Sequence, residues 1–206
     1  MAMTEIKTLD ELVELTGQPA ERTRHKILDR IDGHARTLIA HSPFVLIATA
    51  SAEGTCDVSP RGDPAGSVLV LDDHTLVLAD RPGNKLQDSF HNIIENPHAG
   101  LLFLIPGMNE TLRVNGRAKL VSDAPFFDEL VVRDKRPKVA VVIEVEQLYM
   151  HCAKAFLRSS LWQPETWTDR TCLPTFGEII KDQMALPVAA SDLDNVFEEN
   201  NRTQQY

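Results

Sequence analysis

Alternating apolar and polar positions predict that the middle of the chain is built from β-strands. Between residues 111 and 121, apolar or small side chains occupy every second position, and mostly arginine, asparagine or lysine stand between them. Successive side chains of a strand point to opposite faces, so one face of this strand is predicted to be core and the other cationic. Apolar and β-branched runs predict further strands at residues 44–50, 55–59, 67–71, 76–79, 99–105 and from 139 to about 151.

Closely spaced strands with short connections indicate an antiparallel β-barrel that carries its helices on the outside, a mainly β fold with flanking helices. The strand at 99–105 is apolar throughout, so we expect it to be central and buried on both faces. Helical spacing of apolar residues predicts helices at 126–132, 152–162 and 176–186. The predicted organisation is a helical N-terminal extension over 1–41, a barrel domain over 42–186 and a polar tail over 187–206. From Ser191 the tail is predicted to be a polar helix that frays or is disordered.

The turn that follows the strand at 76–79 has the features of an anion site. Pro82 and Gly83 break the strand pattern, and the apolar residues beyond them lie at helical spacing, so a helix is predicted to begin near Asn84, a good capping residue. Free N–H groups at the start of a helix attract phosphate, and Arg81 and Lys85 add two positive charges beside them. An ordinary solvated turn between a strand and a helix explains the same residues.

Composition limits the partners of such a site. The 206 residues carry a net charge of -9, which argues against nucleic acid or an anionic membrane as a partner. The basic run at 133–138 is predicted to be a surface loop. Three widely separated cysteines form neither a disulfide framework nor a zinc motif, and the chain shows no targeting segment or membrane-spanning run, so a cytoplasmic protein is expected.

Five segments, taken in order, resemble the pyridoxamine phosphate oxidase-like family of flavin mononucleotide (FMN)-binding split barrels, in a bacterial branch. The resemblance covers roughly residues 40–186 and rests on residues 59–63, 81–85, 104–107, 110–116 and 151–155. The chain departs from the vitamin oxidase itself. Its phosphate triplet reads Gly83-Asn84-Lys85, Thr111 stands where that enzyme has a flavin-contacting glutamine, and the arginine-x-histidine near the C-terminus is not recognisable. Pyridoxamine phosphate is therefore disfavoured as the substrate.

The resemblance implies FMN as the cofactor and a homodimer with the flavin between its two subunits. The residues implied to bind the cofactor are Val58, Ser59, Arg61, Gly62, Asp80, Arg81, Asn84, Lys85, Thr111, Lys154, Arg158 and Trp162. Arg61, Arg81 and Lys85 would hold the phosphate. Lys154 and Arg158 would lie near the flavin N1 and C2=O, although a solvated helix face explains them equally well, and Trp162 would stack on the ring or pack in the fold.

A flavin performs hydride transfer itself, so no catalytic side chain and no metal ligand is assigned. The first functional hypothesis is an FMN-dependent oxidoreductase that passes hydride from a reduced donor to a small acceptor or to oxygen. The second is a flavin carrier or sensor without turnover. A third replaces FMN with a deazaflavin, whose long anionic tail would need more cationic surface than Arg61, Arg81 and Lys85 provide.

Overall fold

Seven antiparallel strands form the centre of the fold in the computed structural model, which describes residues 3–21 and 25–206. Their order across the sheet is β2-β1-β5-β6-β7-β4-β3. The strands are β1 Phe44–Ala50, β2 Cys56–Gly62, β3 Leu69–Val70, β4 Thr75–Ala79, β5 His98–Leu104, β6 Thr111–Val121 and β7 Ala140–His151. The predicted antiparallel split barrel is confirmed, but the sheet is open, since within the described residues β2 and β3 are its two edges and do not pair with each other.

Six α-helices of the described chain flank this sheet. They are α1 Leu9–Thr16, α2 Gly33–His41, α3 Asp88–Glu95, α4 Lys154–Ser159, α5 Phe176–Gln183 and α6 Ala190–Thr203. Short 3₁₀ helices span Pro125–Leu130, Pro164–Thr166 and Arg170–Cys172. None of the helices that the structure describes has both the length and the apolar character needed to cross a bilayer.

Strand β6 confirms the alternation that predicted it. Leu112, Val114 and Ala118 are buried in the core, while Arg113 and Arg117 on the opposite face are exposed. The pairing of β6 with β7 shifts register between Asn115 and Gly116. A Cβ at Gly116 would overlap the backbone carbonyl of Glu144, so the close approach of the two strands requires glycine there.

Strand β5 is less buried than its composition predicts. Ala99, Leu101 and Phe103 lie in the core, but Leu102 and Leu104 on the other face are only partly buried. The prediction that both faces are buried is therefore wrong for the single chain. The predicted central position of β5 is confirmed, because it is an interior strand that pairs with β1 on one side and with β6 on the other.

Several elements are shorter than predicted. The strand predicted at 67–71 contains two residues, and the helix predicted at 126–132 is a 3₁₀ helix. The helix predicted at 152–162 ends at Ser159, because Ser160 adopts a left-handed backbone with φ of 51°. In the extension predicted as helical, residues 1–2 and 22–24 lie outside the described residues, and between α1 and α2 the chain forms a β-bridge from Leu28 to Leu148.

The polar tail is more ordered than its composition suggests. Helix α6 packs against α5, where the Gly177 N–H donates to Asp194 Oδ1 at 2.7 Å. The ring centroids of Phe176 and Phe197 are 4.7 Å apart across the same contact. The predicted polar helix is present over Ala190–Thr203, and these two contacts dock it on α5.

Candidate functional site

A cavity of about 620 Å³ opens beside the end of β4. Its walls are the inner face of β2, the loop at 80–87, the first turn of α3 and the loop before β7. The lining contains six basic side chains against three acidic ones, although the whole chain carries a net charge of -9. The basic residues are Arg61, Arg81, Lys85, Lys135, Arg136 and Lys138, and the acidic ones are Asp57, Asp80 and Asp88. This local excess of cations favours an anionic ligand.

Strand pairing brings these segments together from distant parts of the sequence. Strand β4 pairs with β7 up to Ala79 and Ala140, and the Asp80 N–H donates to the Val139 carbonyl at 2.9 Å. The loop at 80–87 therefore runs beside the basic loop that precedes β7. On its other side, Arg81 Nε donates to Asp63 just after β2. The loop at 80–87 thus lies between Arg61 on one side and the basic loop on the other.

Arg61 is the half-buried cation of the cavity. Its guanidinium donates to Ser59 Oγ at 2.6 Å and to Ser89 Oγ at 3.4 Å, and the Ser89 hydroxyl donates to Asp57 Oδ2 at 2.5 Å. Burial lowers the pKa of Arg61, while Asp80 and Asp57 act in the opposite direction. Burial also raises the pKa of Asp80 despite the nearby charge of Arg61. Burial therefore disfavours both charges, and an anionic ligand on Arg61 would offset part of the cost of the arginine charge.

The start of α3 differs from the sequence prediction. The helix begins at Asp88, four residues later than predicted, and Gln87 is its capping residue. Asn84 Oδ1 instead accepts the N–H of Leu86 at 3.0 Å, which closes a local turn. Lys85 and Gln87 both have a left-handed backbone, with φ of 62° and 59°. Such non-glycine residues cost about 1 kcal/mol or more each and are enriched at ligand sites and switch regions.

Arg81 is held by the protein itself. Its Nε donates to Asp63 Oδ2 at 2.7 Å, and its Nη2 donates to the Leu130 carbonyl at 2.9 Å. The side chains of Arg81 and Asp63 are only 14% and 15% exposed. The guanidinium therefore has a fixed orientation in the wall of the cavity, which the sequence did not indicate.

The structure divides the twelve predicted binding residues into two groups. The cavity lining contains Ser59, Arg61, Asp80, Arg81, Asn84 and Lys85. Gly62 lines an adjoining hollow, which also includes Arg61 and Arg81. Val58 is exposed on the opposite face of β2, away from the cavity lining.

The second group lies outside the cavity lining and comprises Thr111, Lys154, Arg158 and Trp162. Thr111 is buried and pairs with His151 where β6 meets the end of β7. The Trp162 indole N–H donates to the Met108 carbonyl at 2.8 Å, and its ring stacks on Phe156 with centroids 5.7 Å apart. Within one chain these four residues, like Val58, do not join the seven that line the cavity and the adjoining hollow.

Sequence reasoning missed the basic loop and Tyr206 as cavity residues. The run at 133–138 was visible as basic, but only the β4–β7 pairing places Lys135, Arg136 and Lys138 in the lining. Arg136 pairs with Asp123 and Asp128, and those partners raise its pKa. Within residues 3–21 and 25–206, no carboxylate lies within 4.0 Å of the Lys135 or Lys138 ammonium groups.

Many solved structures, among them these three, are similar to parts of this chain. HupZ from Group A Streptococcus is 20% identical with a TM-score of 0.47, over 57% of this chain and 91% of its own. A candidate pyridoxamine 5'-phosphate oxidase from Lactobacillus delbrueckii is 20% identical with a TM-score of 0.47, over 59% and 95%. A protein named F420 reductase is 19% identical with a TM-score of 0.42, over 56% and 94%.

Comparison with curated protein sequences gives no match. The profile of the family described as pyridoxamine 5'-phosphate oxidase matches residues 31–152, which is more than half of the chain. The match spans β1 to β7 and includes every residue of the cavity lining except Tyr206. The chain therefore belongs to the pyridoxamine 5'-phosphate oxidase family.

Proposed function

We propose that the chain binds FMN in the cavity beside β4 and acts as an oxidoreductase that passes hydride between a reduced donor and a small acceptor or oxygen. The observation that carries this proposal is the excess of basic side chains around the half-buried Arg61. The volume of about 620 Å³ lies within the range of small-molecule sites. Size and charge both suit a nucleotide-like cofactor with one phosphate.

The residues present fit the cofactor and divide its binding between them. Arg61 and Lys85 would hold the phosphate, with Ser89 at the first turn of α3 and the free edge of the Arg81 guanidinium beside it. Ser59 on the inner face of β2 would approach the ring. When bound, the flavin supplies the hydride chemistry, and the task of the chain is to orient it and exclude water.

We propose that a second copy of the chain completes the site. Thr111, Lys154, Arg158 and Trp162 lie outside the cavity lining of one chain, and a partner copy would supply them. The outer face of the sheet offers a surface for that contact, because β1 and β5 place Phe44 beside Leu104 and Leu46 beside Leu102 there. On the same face Val58 is 62% exposed. Such an uncovered apolar face supports a homodimer.

A deazaflavin is the second candidate cofactor. The additional charges of Lys135, Arg136 and Lys138 in the lining favour it, because a long anionic tail requires cationic surface beyond the phosphate contacts. The two candidates make the same use of Arg61 but differ at the basic loop. A variant in which Lys135 and Lys138 are both alanine would weaken deazaflavin binding strongly and FMN binding little.

Ligand identification and binding measurements on the purified protein test the proposed function. Purified protein would be examined by absorbance and mass spectrometry for a bound ligand, then titrated with FMN, riboflavin, deazaflavin and haem. We expect FMN to bind more tightly than riboflavin, because only FMN carries the phosphate. Binding of haem alone, or of no flavin, would refute the proposal.

Turnover separates an enzyme from a carrier. Bleaching of the bound flavin by a reduced nicotinamide without oxygen, followed by steady turnover when an acceptor is added, is the expected result. A flavin that binds but is not reduced by any donor tested would favour the carrier or sensor hypothesis. We place the protein in the cytoplasm, which is supported by three free, exposed cysteines that suit a reducing compartment.

A further inference from the structure

The segment at 204–206 reaches back from α6 to the wall of the cavity. The Arg133 guanidinium donates to Gln205 Oε1 at 3.1 Å. The Tyr206 ring lies 4.9 Å from Arg133 Cζ and 5.7 Å from Arg81 Cζ, within the range of cation–π attraction. Tyr206 lines both the cavity and the adjoining hollow. A residue 125 positions after Arg81 thus touches its guanidinium.

The docking of α6 gives this segment a defined starting point. The Gly177 N–H donates to Asp194, and a Cβ at Gly177 would overlap the backbone carbonyl of Ala190. The two helices therefore approach closely, and the 204–206 segment leaves α6 towards the cavity. The segment does not continue the helix, and it contacts the cavity wall through hydrogen bonds and the Tyr206 ring.

Asp63 joins Tyr206 to Arg81. One carboxylate oxygen, Oδ2, accepts from Arg81 Nε at 2.7 Å, and the other, Oδ1, accepts from the Tyr206 hydroxyl at 3.0 Å. Burial and the bond to Asp63 raise the pKa of Tyr206, so the phenol keeps its proton at neutral pH and remains the donor. Both oxygens of Asp63 are therefore occupied by different partners.

These contacts fix the orientation of the Arg81 guanidinium. Asp63 Oδ2 accepts from Nε and the Leu130 carbonyl accepts from Nη2. The Tyr206 hydroxyl binds the other oxygen of Asp63, and its ring lies 5.7 Å from Arg81 Cζ. In the part of the chain that the structure describes, Nη1 has no hydrogen-bond partner and remains available to a ligand.

We propose that Tyr206 is a positioning residue for the anion of the cavity. Its hydroxyl binds Asp63 and its ring lies against Arg81, so Tyr206 helps to hold the guanidinium in the orientation that leaves Nη1 available to the ligand. The inference deepens the proposed function and rests on it, since the anion would be the phosphate of FMN. Tyr206 itself need not touch the cofactor.

The first test measures FMN and riboflavin affinity in Tyr206→Phe, with Gln204→Ala as the matched control, because the Gln204 side chain bonds to Asn200 of α6. Loss of the hydroxyl is expected to weaken FMN binding about tenfold and to leave riboflavin binding unchanged. In an Arg81→Ala background, the same substitution should have no further effect, since the two residues act through one path.

Three results would overturn the proposal. Unchanged or tighter FMN binding in Tyr206→Phe would show that the hydroxyl does not assist Arg81. Equal losses for FMN and riboflavin would indicate a general structural effect. A full loss that persists in the Arg81→Ala background would show that Tyr206 acts by another route.

The second test is independent of any flavin. Hydrogen exchange of the 199–206 region in the ligand-free protein is expected to be faster in Asp63→Ala than in the wild type, with Arg136→Ala as a control at another part of the cavity. Unchanged exchange would overturn the contact that the proposal needs. If the wild type binds no FMN, the proposed function fails, and affinity for inorganic phosphate in the same Tyr206 and Arg81 variants decides the positioning role.

Discussion

Replacing Arg61 by alanine is expected to weaken FMN binding far more than riboflavin binding. A hydrogen bond to a charged group contributes about 1.5–3 kcal/mol. Removal of Arg61 also leaves Asp57 and Asp80 in the cavity without their neighbouring cation, which opposes a phosphate further. The combined loss of about 2–3 kcal/mol corresponds to a dissociation constant for FMN that rises about 30- to 150-fold. Riboflavin lacks the phosphate, so its affinity should fall by less than about threefold.

Fluorescence titration of both flavins against the ligand-free variants provides the assay, after thermal unfolding has shown that each variant is folded. Arg136→Ala is the matched control, because Arg136 lines the same cavity but bonds to Asp123 and Asp128. Its effect on FMN should be less than about threefold, as expected where a surface cation already has partners. Arg61→Lys, which keeps the charge but loses the planar fork, should be intermediate. Equal losses of FMN and riboflavin in Arg61→Ala, or an equal effect of Arg136→Ala, would refute the assignment of the phosphate to Arg61.

Three further outcomes are expected. Gly116→Ala should lower the free energy of unfolding by about 2–4 kcal/mol in denaturant unfolding, because its methyl group would displace the neighbouring strand. Gly33→Ala is the control and should be neutral or slightly stabilising, because its methyl group would meet no atom within 4 Å. Asp80→Asn should raise the melting temperature at about pH 8. Folding raises the pKa of Asp80, so the ionised carboxylate destabilises the folded protein above that pKa, and the gain should vanish at low pH, where Asp80 is protonated in both the folded and the unfolded chain. A gain independent of pH would contradict this reasoning. Arg158→Ala should leave FMN bound but lower its midpoint potential, because a positive charge near N1 and C2=O stabilises the reduced flavin, and an unaltered potential would assign Arg158 to a solvated helix face.

The strands were predictable because their signal is local. The alternation at 111–121 depends on neighbouring residues alone, and β6 has the predicted bounds. The outer face of β5 shows the limit of such reasoning, because an apolar residue such as Leu102 indicates burial without indicating whether the same chain or another copy provides it. Composition alone does not distinguish these cases.

The candidate site was predictable only in part, because its parts meet through long-range pairing. Asn84 has the chemistry of a helix cap, but its oxygen closes a turn with Leu86, and the helix begins only at Asp88. A lysine in the sequence does not indicate the left-handed backbone that Lys85 adopts. The basic loop joins the lining only through the pairing of Ala79 with Ala140. Tyr206 joins it only through the docking of a helix whose polar composition suggests disorder.

The edges of the open sheet have a consequence for solubility during folding and storage. Exposed edge strands can pair with strands of other molecules and so begin aggregation. Here one edge strand, β2, contains Pro60, which lacks an N–H, and the other, β3, is only two residues long. Pro60 cannot donate a hydrogen bond to an added strand, and β3 is too short to pair with one over many residues. Both edges of the open sheet therefore disfavour aggregation by strand addition.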